Sequence, residues 1–226
     1  MVRQNFLKKI ILAIDTSLDN FSLAILEDER VIAKKSILKQ KGQSEDLLNY
    51  IEQLLNQINL TYKNLEAIGV GVGPGNFTGL RMGISAAKGL AMALKIKVFG
   101  INRFETLVDK NQPTLSLIQI KNNTFYSQLF INKKPTQPPT EETLSEILNK
   151  RHLPNTIISG DCALSISKDL KLQAGKNNSR PNPKEIGFMA LKYIEIGGPP
   201  PAPLYIKGPD AKLPKDPIPV ILESYE

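Results

Sequence analysis

The sequence predicts an α/β protein whose first sheet mixes antiparallel and parallel strands. Three apolar segments joined by short polar turns come first, and turns that short connect antiparallel strands. Helical segments then alternate with further strands, which is the pattern that gives parallel pairing. Proline separates this regular half from the rest, because all but one of the 16 prolines lie at or beyond residue 113.

The first half of the chain is predicted to form one lobe, over residues 1–107. Two amphipathic helices are expected, from Ser44, which can cap the helix, to Ile58 and from about Thr78 to Leu94. Runs rich in Ile, Leu and Val give the strands. These strands lie at residues 8–16, 21–27, 30–38, 65–72 and 98–101. The order β-β-β-α-β-α-β is the ribonuclease-H-like arrangement, on which each lobe of actin-like proteins is built.

The second half predicts a smaller lobe over residues 108–196 and an extended tail over residues 197–226. Proline in the tail excludes a helix or a central strand there, so the tail is expected to lie on the surface or leave it. The elements of the smaller lobe are a hairpin at 114–131, a helix at 141–149, a strand at 155–160 and a helix at 183–195.

Composition narrows the classes of function. The net charge of +7 would suit a nucleic-acid partner, but the excess is spread, with 14 basic and 10 acidic residues in the first lobe and 15 and 12 beyond it. A basic surface with no direct RNA contact is therefore favoured. His152 and Cys162 are the only residues of their kinds, which excludes His/Cys zinc sites and internal disulfides.

The apolar run that begins at Ile10 stops at Asp15, well short of a membrane span. It also lacks a cleavage pattern, so no signal peptide is expected there. We expect a cytoplasmic protein without membrane contact.

Asp15, Thr16 and Ser17 follow the first strand and are the first candidate site. A tight turn of this kind can present backbone N–H groups, hydroxyls and a carboxylate to a phosphate or to a metal-bound water. The alternative interpretation is a polar hairpin turn, and these three residues alone do not decide between the two.

Residues 69–83, GVGVGPGNFTGLRMG, join a strand to a helix and are the second candidate site. Glycine allows close backbone approach, and a helix N-terminus favours anions. The segment fits neither of the two common nucleotide-loop templates, so contact with phosphate stays an alternative. The residues that would face a nucleotide here are Gly73, Gly75, Asn76 and Thr78.

Small residues recur every four positions along the helix after this loop, namely Gly75, Gly79, Gly83, Ala87 and Ala91. Such a stripe lets another helix approach closely. Two interpretations stay open: burial within the chain's own lobe, or docking on a partner. The docking interpretation predicts that a bulky residue at Gly83 or Ala87 stops partner binding and leaves a folded monomer.

Three segments resemble the TsaB/YeaZ family. Ala67–Leu94 is similar to its long signature, with Asn76 where Ser is more usual, while residues 11–17 (ILAIDTS) and 203–212 (PLYIKGPDAK) resemble its opening and closing segments. Residues 108–195 resemble the family only loosely. Departures from the family pattern occur at Gln43, Gln119, Lys121, Asn123 and Thr124.

The resemblance implies an actin-like protein of two lobes, the second reduced, that supports the threonylcarbamoyl transfer catalysed by a TsaD-type paralogue on tRNAs reading ANN codons. It implies no catalytic residue and no metal in this chain, a TsaE-type ATPase as a further partner, and tRNA contact only through the complex. It leaves room for ATP or ADP at the partner interface. It also leaves room for a homodimer through the two helices of the first lobe, which in the family form the interface with the paralogue. The implied interface residues are Leu47, Leu48, Ile51, Leu55, Gly79, Met82, Gly83, Ala86, Ala87 and Leu90.

Two enzyme hypotheses compete with this scaffold role. An actin-like ATP-binding enzyme, either an ATPase or a small-molecule kinase, would use the two candidate phosphate segments. It would also need a second phosphate turn, for which the sequence offers only Ser159-Gly160-Asp161. A metallopeptidase is disfavoured because the chain has a single histidine.

Overall fold

The computed structural model describes residues 8–18, 20–38, 46–109, 111–175 and 182–207. Two mixed sheets with helices against them make up this part of the chain, which confirms the predicted α/β class. The predicted helix cap Ser44, the departure at Gln43 and the tail beyond residue 207 lie outside the described residues.

The first sheet contains the five strands predicted for the first lobe. Their bounds are β1 (Ile10–Asp15), β2 (Asn20–Glu27), β3 (Arg30–Leu38), β4 (Ala67–Gly71) and β5 (Lys97–Ile101). The spatial order is β3-β2-β1-β4-β5. Strand β2 pairs antiparallel with both β1 and β3, and β1, β4 and β5 are parallel. Every residue of β1 is buried, because helices cover both faces of this sheet.

Helices α1 (Leu47–Asn56) and α2 (Phe77–Leu94) pack on one face of the first sheet. Asn76 caps α2 by accepting a hydrogen bond from Gly79 N at 2.9 Å, and Lys95 ends the helix in the left-handed conformation. Helix α1 begins later and ends earlier than the predicted Ser44–Ile58 range.

The second lobe is built on β6 (Thr114–Lys121), β7 (Thr124–Ile131), β8 (Lys134–Pro135), β9 (Thr140–Thr143), β10 (Ile157–Gly160) and β11 (Gln173–Ala174). The sheet order is β11-β10-β6-β7-β8, and β9 also pairs with β7. Helix α3 (Arg103–Thr106) joins the two lobes, and the helices of the second lobe are α4 (Leu144–Asn149) and α5 (Ala163–Leu170).

The structure corrects two predictions for the second half. Residues 141–143 extend strand β9, because Thr143 and Glu146 form a capping box that starts α4 at Leu144. The last helix, α6 (Pro183–Ile196), packs on the open face of the first sheet, where Ile186 and Ala190 meet apolar residues of β1, β2 and β5. It was predicted in the second lobe and instead completes the first.

The described start of the tail returns to the first lobe. Gly100 N donates to Pro199 O at 3.0 Å, and Leu204 N donates to Val72 O at 2.8 Å. Residues 199–204 therefore lie as an extended segment along the ends of β4 and β5.

Candidate functional site

The turn after β1 is buried and satisfies its own polar groups. Ser17 donates to Asp15 Oδ1 from both its backbone N, at 2.8 Å, and its Oγ, at 2.6 Å. Thr16 Oγ1 donates to Gly79 O at 2.7 Å. Burial raises the pKa of the Asp15 carboxyl, and the hydrogen bonds from Ser17 and the charge of Arg103 offset only part of that rise. The hydroxyl groups expected to face a ligand are thus used within the protein.

The glycine-rich loop closes against this turn. Asn76 N donates to Ser17 O at 2.7 Å, and a Cβ at Gly75 would overlap that same carbonyl oxygen. A Cβ at Gly83 would likewise overlap Thr16 Oγ1. The two segments predicted to face a nucleotide therefore contact each other. The glycines allow this contact, with Gly75 lying against Ser17 and Gly83 against Thr16.

Three of the candidate residues of the loop, Gly75, Asn76 and Thr78, are exposed, and Gly73 faces inward. Gly73 is buried, has a backbone φ of 100° and is joined to Pro74 by a cis peptide bond. Asn76 and Thr78 are exposed at the start of α2.

Arg103 was not predicted, although it is the charged residue most deeply placed beside this turn. It opens α3 behind the cap Asn102, and its N–H donates to Gly73 O at 2.9 Å. Its side chain is 6% exposed, and its Nη2 donates to Asp161 Oδ1 at 2.5 Å. Its buried Nε has no hydrogen-bond partner among the described residues. The role of Arg103 depends on its contact with Asp161, which is distant in the sequence, so no local pattern marks it.

Arg103 and its neighbours leave no room for a nucleotide at this place. The slot beside the turn is lined by Asp15, Ser17, Gly71, Gly73, Ile101, Arg103, Thr106, Asn182 and Ile186, and it is too narrow to admit even a water molecule. Pockets that take cofactors enclose about 300–1,000 Å³. The polar residues that meet here therefore form an internal cluster.

The predicted partner interface divides into buried and accessible residues. The buried ones are Leu47, Ile51, Leu55, Gly79, Gly83 and Ala87. They belong to the core of their own lobe, so the structure corrects their assignment to a partner-facing surface and also the expectation that bulk at Gly83 or Ala87 would spare the fold. Leu48 is exposed, and Met82, Ala86 and Leu90 are half-buried.

The solvent-accessible side of α2 carries Arg81 and Lys88 along one edge and a wide strip of uncharged residues beside them. Each residue turns a helix by about 100°, so this strip runs from that edge to the buried stripe of Gly83 and Ala87. It is made of Met82, Ser85, Ala86, Gly89, Leu90, Met92 and Ala93, all of them exposed or half-buried. Together with Leu48 on α1, which covers the same sheet face, these residues are called the docking face below.

Basic and aromatic side chains border the docking face at the start of α2. The Arg81 guanidinium lies 3.8 Å from the centre of the Phe77 ring, and Arg81 Nε donates to the Tyr205 hydroxyl at 3.0 Å. The rings of Phe77 and Tyr205 stack at 5.5 Å. The signature segment and the closing segment, far apart in sequence, therefore meet here.

Two further features are absent from the described residues. None of the helices in the described ranges is long and apolar enough to span a membrane. Within the same ranges, no three or more His, Cys, Asp or Glu side chains are grouped so that they could hold a metal ion.

Comparison with known sequences identifies relatives. The family described as "TsaD: tRNA N6-adenosine threonylcarbamoyltransferase" matches residues 34–128. The chain is 39% identical over 101 residues to the tRNA threonylcarbamoyladenosine biosynthesis protein TsaB of Buchnera aphidicola subsp. Schizaphis graminum, a match covering 45% of this chain and 48% of the relative. It is 37% identical over 97 residues to TsaB of Bacillus subtilis, covering 43% and 42%. The matches thus span about half of these curated relatives or less.

Comparison with solved structures extends the likeness over most of the chain. YeaZ from Pseudomonas aeruginosa superposes with a TM-score of 0.68 at 19% sequence identity, covering 87% of this chain and 99% of that one. At this identity the likeness establishes the fold, and it confirms the actin-like arrangement of two mixed sheets.

Proposed function

From its similarity to TsaB and YeaZ proteins, we propose that this chain is a TsaB/YeaZ-type protein that serves in forming threonylcarbamoyladenosine on tRNA, as a non-catalytic subunit that binds a TsaD-type paralogue. In this proposal the paralogue carries the reaction, and a TsaE-type ATPase joins the complex. The tRNA reaches this chain only through the assembly.

The docking face is the observation that carries the proposal. Seven neighbouring accessible positions of α2, beside the edge that carries Arg81 and Lys88, bear no charge, and three of them are Gly or Ala, so a helix of a partner can approach closely. The large apolar side chains Leu48 and Met92 are 45% and 78% exposed. Helix α2 has no acidic residue, and Arg81 and Lys88 along one edge favour carboxylates on the partner.

Gly89→Glu is the sharpest test of this face. A Cβ at Gly89 meets no described atom within 4 Å, so the variant is expected to fold while placing a charged side chain in the centre of the face. We expect the Kd for the TsaD-type paralogue of the same organism, measured by calorimetry, to rise at least about tenfold, or 1.4 kcal/mol. Light scattering after size exclusion would report the loss of complex.

Leu164→Glu is the matched control, because Leu164 is 67% exposed on α5 in the other lobe. It should bind the paralogue as the wild type does. Wild-type affinity in a folded Gly89→Glu variant would overturn the docking face as the interface, and equal losses in both variants would point to a general effect of added charge.

A further inference from the structure

Arg103 connects three segments that belong to different parts of the molecule. Its backbone N–H is bonded to Gly73 in the glycine-rich loop, and its side chain lies beside Asp15 at the end of β1. Its guanidinium reaches Asp161, which directly follows β10 of the second sheet. One side chain therefore links the first lobe to the second.

The surroundings make this link costly to break. The Arg103 side chain is 6% exposed and that of Asp161 is 28% exposed, so the pair is shielded from water on the arginine side. A buried guanidinium that loses its carboxylate keeps the desolvation penalty without compensation. Moving Asp161 away from Arg103 would therefore leave that buried guanidinium without its carboxylate.

We propose that Arg103 and Asp161 form a lobe clamp, which holds the two lobes in one fixed arrangement in the isolated chain, without any ligand between them. The clamp goes beyond the proposed function, because it concerns the chain before a partner binds. It makes the chain a rigid body that presents the docking face in a constant orientation relative to the second lobe.

Spin labels on the two lobes test the clamp in the full chain. Lys34 on β3 and Lys168 on α5 are exposed, and each is changed to cysteine in a Cys162→Ser background, where the serine hydroxyl can still donate to Gln119. The parent should give one narrow distance by pulsed electron resonance. Arg103→Met and the milder Asp161→Asn should each give a longer, broader distribution and lower Tm by about 4 °C or more.

Arg30→Met is the control, since it removes an arginine from a 2.9 Å ion pair with Glu27 that is largely exposed. It should leave both distance and Tm unchanged. A double variant Arg103→Met/Asp161→Asn should lose little more Tm than either single variant, as expected for two residues acting as one unit. An unchanged narrow distance in folded Asp161→Asn would overturn the clamp.

Discussion

Asp15 ends the central strand of the first sheet with a carboxyl group that solvent hardly reaches. Its Oδ1 accepts both hydrogen bonds from Ser17, an arrangement that an amide oxygen can reproduce. Because burial raises its pKa above the ordinary 3.8, the folded chain binds this proton more tightly than the unfolded chain. That contribution to stability is complete below the ordinary pKa and is lost as pH rises through the raised one.

Asp15→Asn is therefore expected to stabilise the protein at neutral pH, since asparagine keeps the acceptor and cannot ionise. The difference in free energy of unfolding between variant and wild type should be largest at pH 7 and shrink toward pH 4. For one proton its slope cannot exceed about 1.4 kcal/mol per pH unit. Urea unfolding at several pH values would measure it.

Asp169→Asn, on the exposed end of α5, provides the control for removing a carboxylate and should change stability by less than about 0.5 kcal/mol. A destabilised Asp15→Asn at pH 7 would show that the Asp15 charge stabilises the fold, through Arg103 or otherwise, and that burial is not the dominant effect.

Helix α2 shows how one sequence pattern can serve two faces of an element. Gly79, Gly83 and Ala87, which recur every four residues, face the interior, where Gly83 lies against Thr16. Gly89 instead lies on the docking face. Spacing alone predicts close packing on the stripe and leaves open which surface packs there. That choice depends on which side of the helix the sheet covers.

Alanine at the two glycines separates these faces. Gly83→Ala should cost about 1–3 kcal/mol, because its Cβ displaces the buried Thr16 hydroxyl from its bond to Gly79 O. Gly89→Ala should gain about 0.5–1 kcal/mol, because alanine replaces glycine in the interior of a helix with no new contact. Chemical denaturation measures both, and changes of the same sign would contradict this packing.

The elements that sequence predicted well are those with long apolar periodicity. The five strands of the first sheet and helix α2 are present near their expected bounds. Helices α3 and α5 were missed because four and eight residues carry too little periodicity to be recognised. Helix α6 was predicted as a helix, but an apolar stripe does not specify which of two sheets it covers.

The candidate site was predicted in part for a similar reason. The local sequence around each segment marked Asp15, Ser17 and Gly75 as candidates. They meet in the structure because the end of a strand and the start of a helix lie at one edge of a parallel sheet. The ion pair of Arg103 with Asp161 joins residues 58 positions apart, and no local pattern encodes it.

At the scale of the whole molecule, the two segments expected to touch phosphate are occupied by the protein itself. The loop rests on the turn after β1, and Arg103 lies between that turn and Asp161, the end of the only other candidate phosphate turn. A nucleotide would have to displace this arginine from its ion pair. This weighs against the actin-like ATP-binding enzyme as a function of the chain alone.

We therefore predict that the isolated chain gives no binding heat with ATP and magnesium, at protein concentrations of about 100 μM, because the slot beside Arg103 is closed and opening it would break the ion pair with Asp161. The same titration on the complex with the TsaD-type paralogue is the comparison. Binding seen only in the complex would assign the nucleotide to the paralogue or to the interface. Binding by the isolated chain with a Kd of about 10 μM or tighter would mean that the cleft opens readily, and it would favour the enzyme over the scaffold.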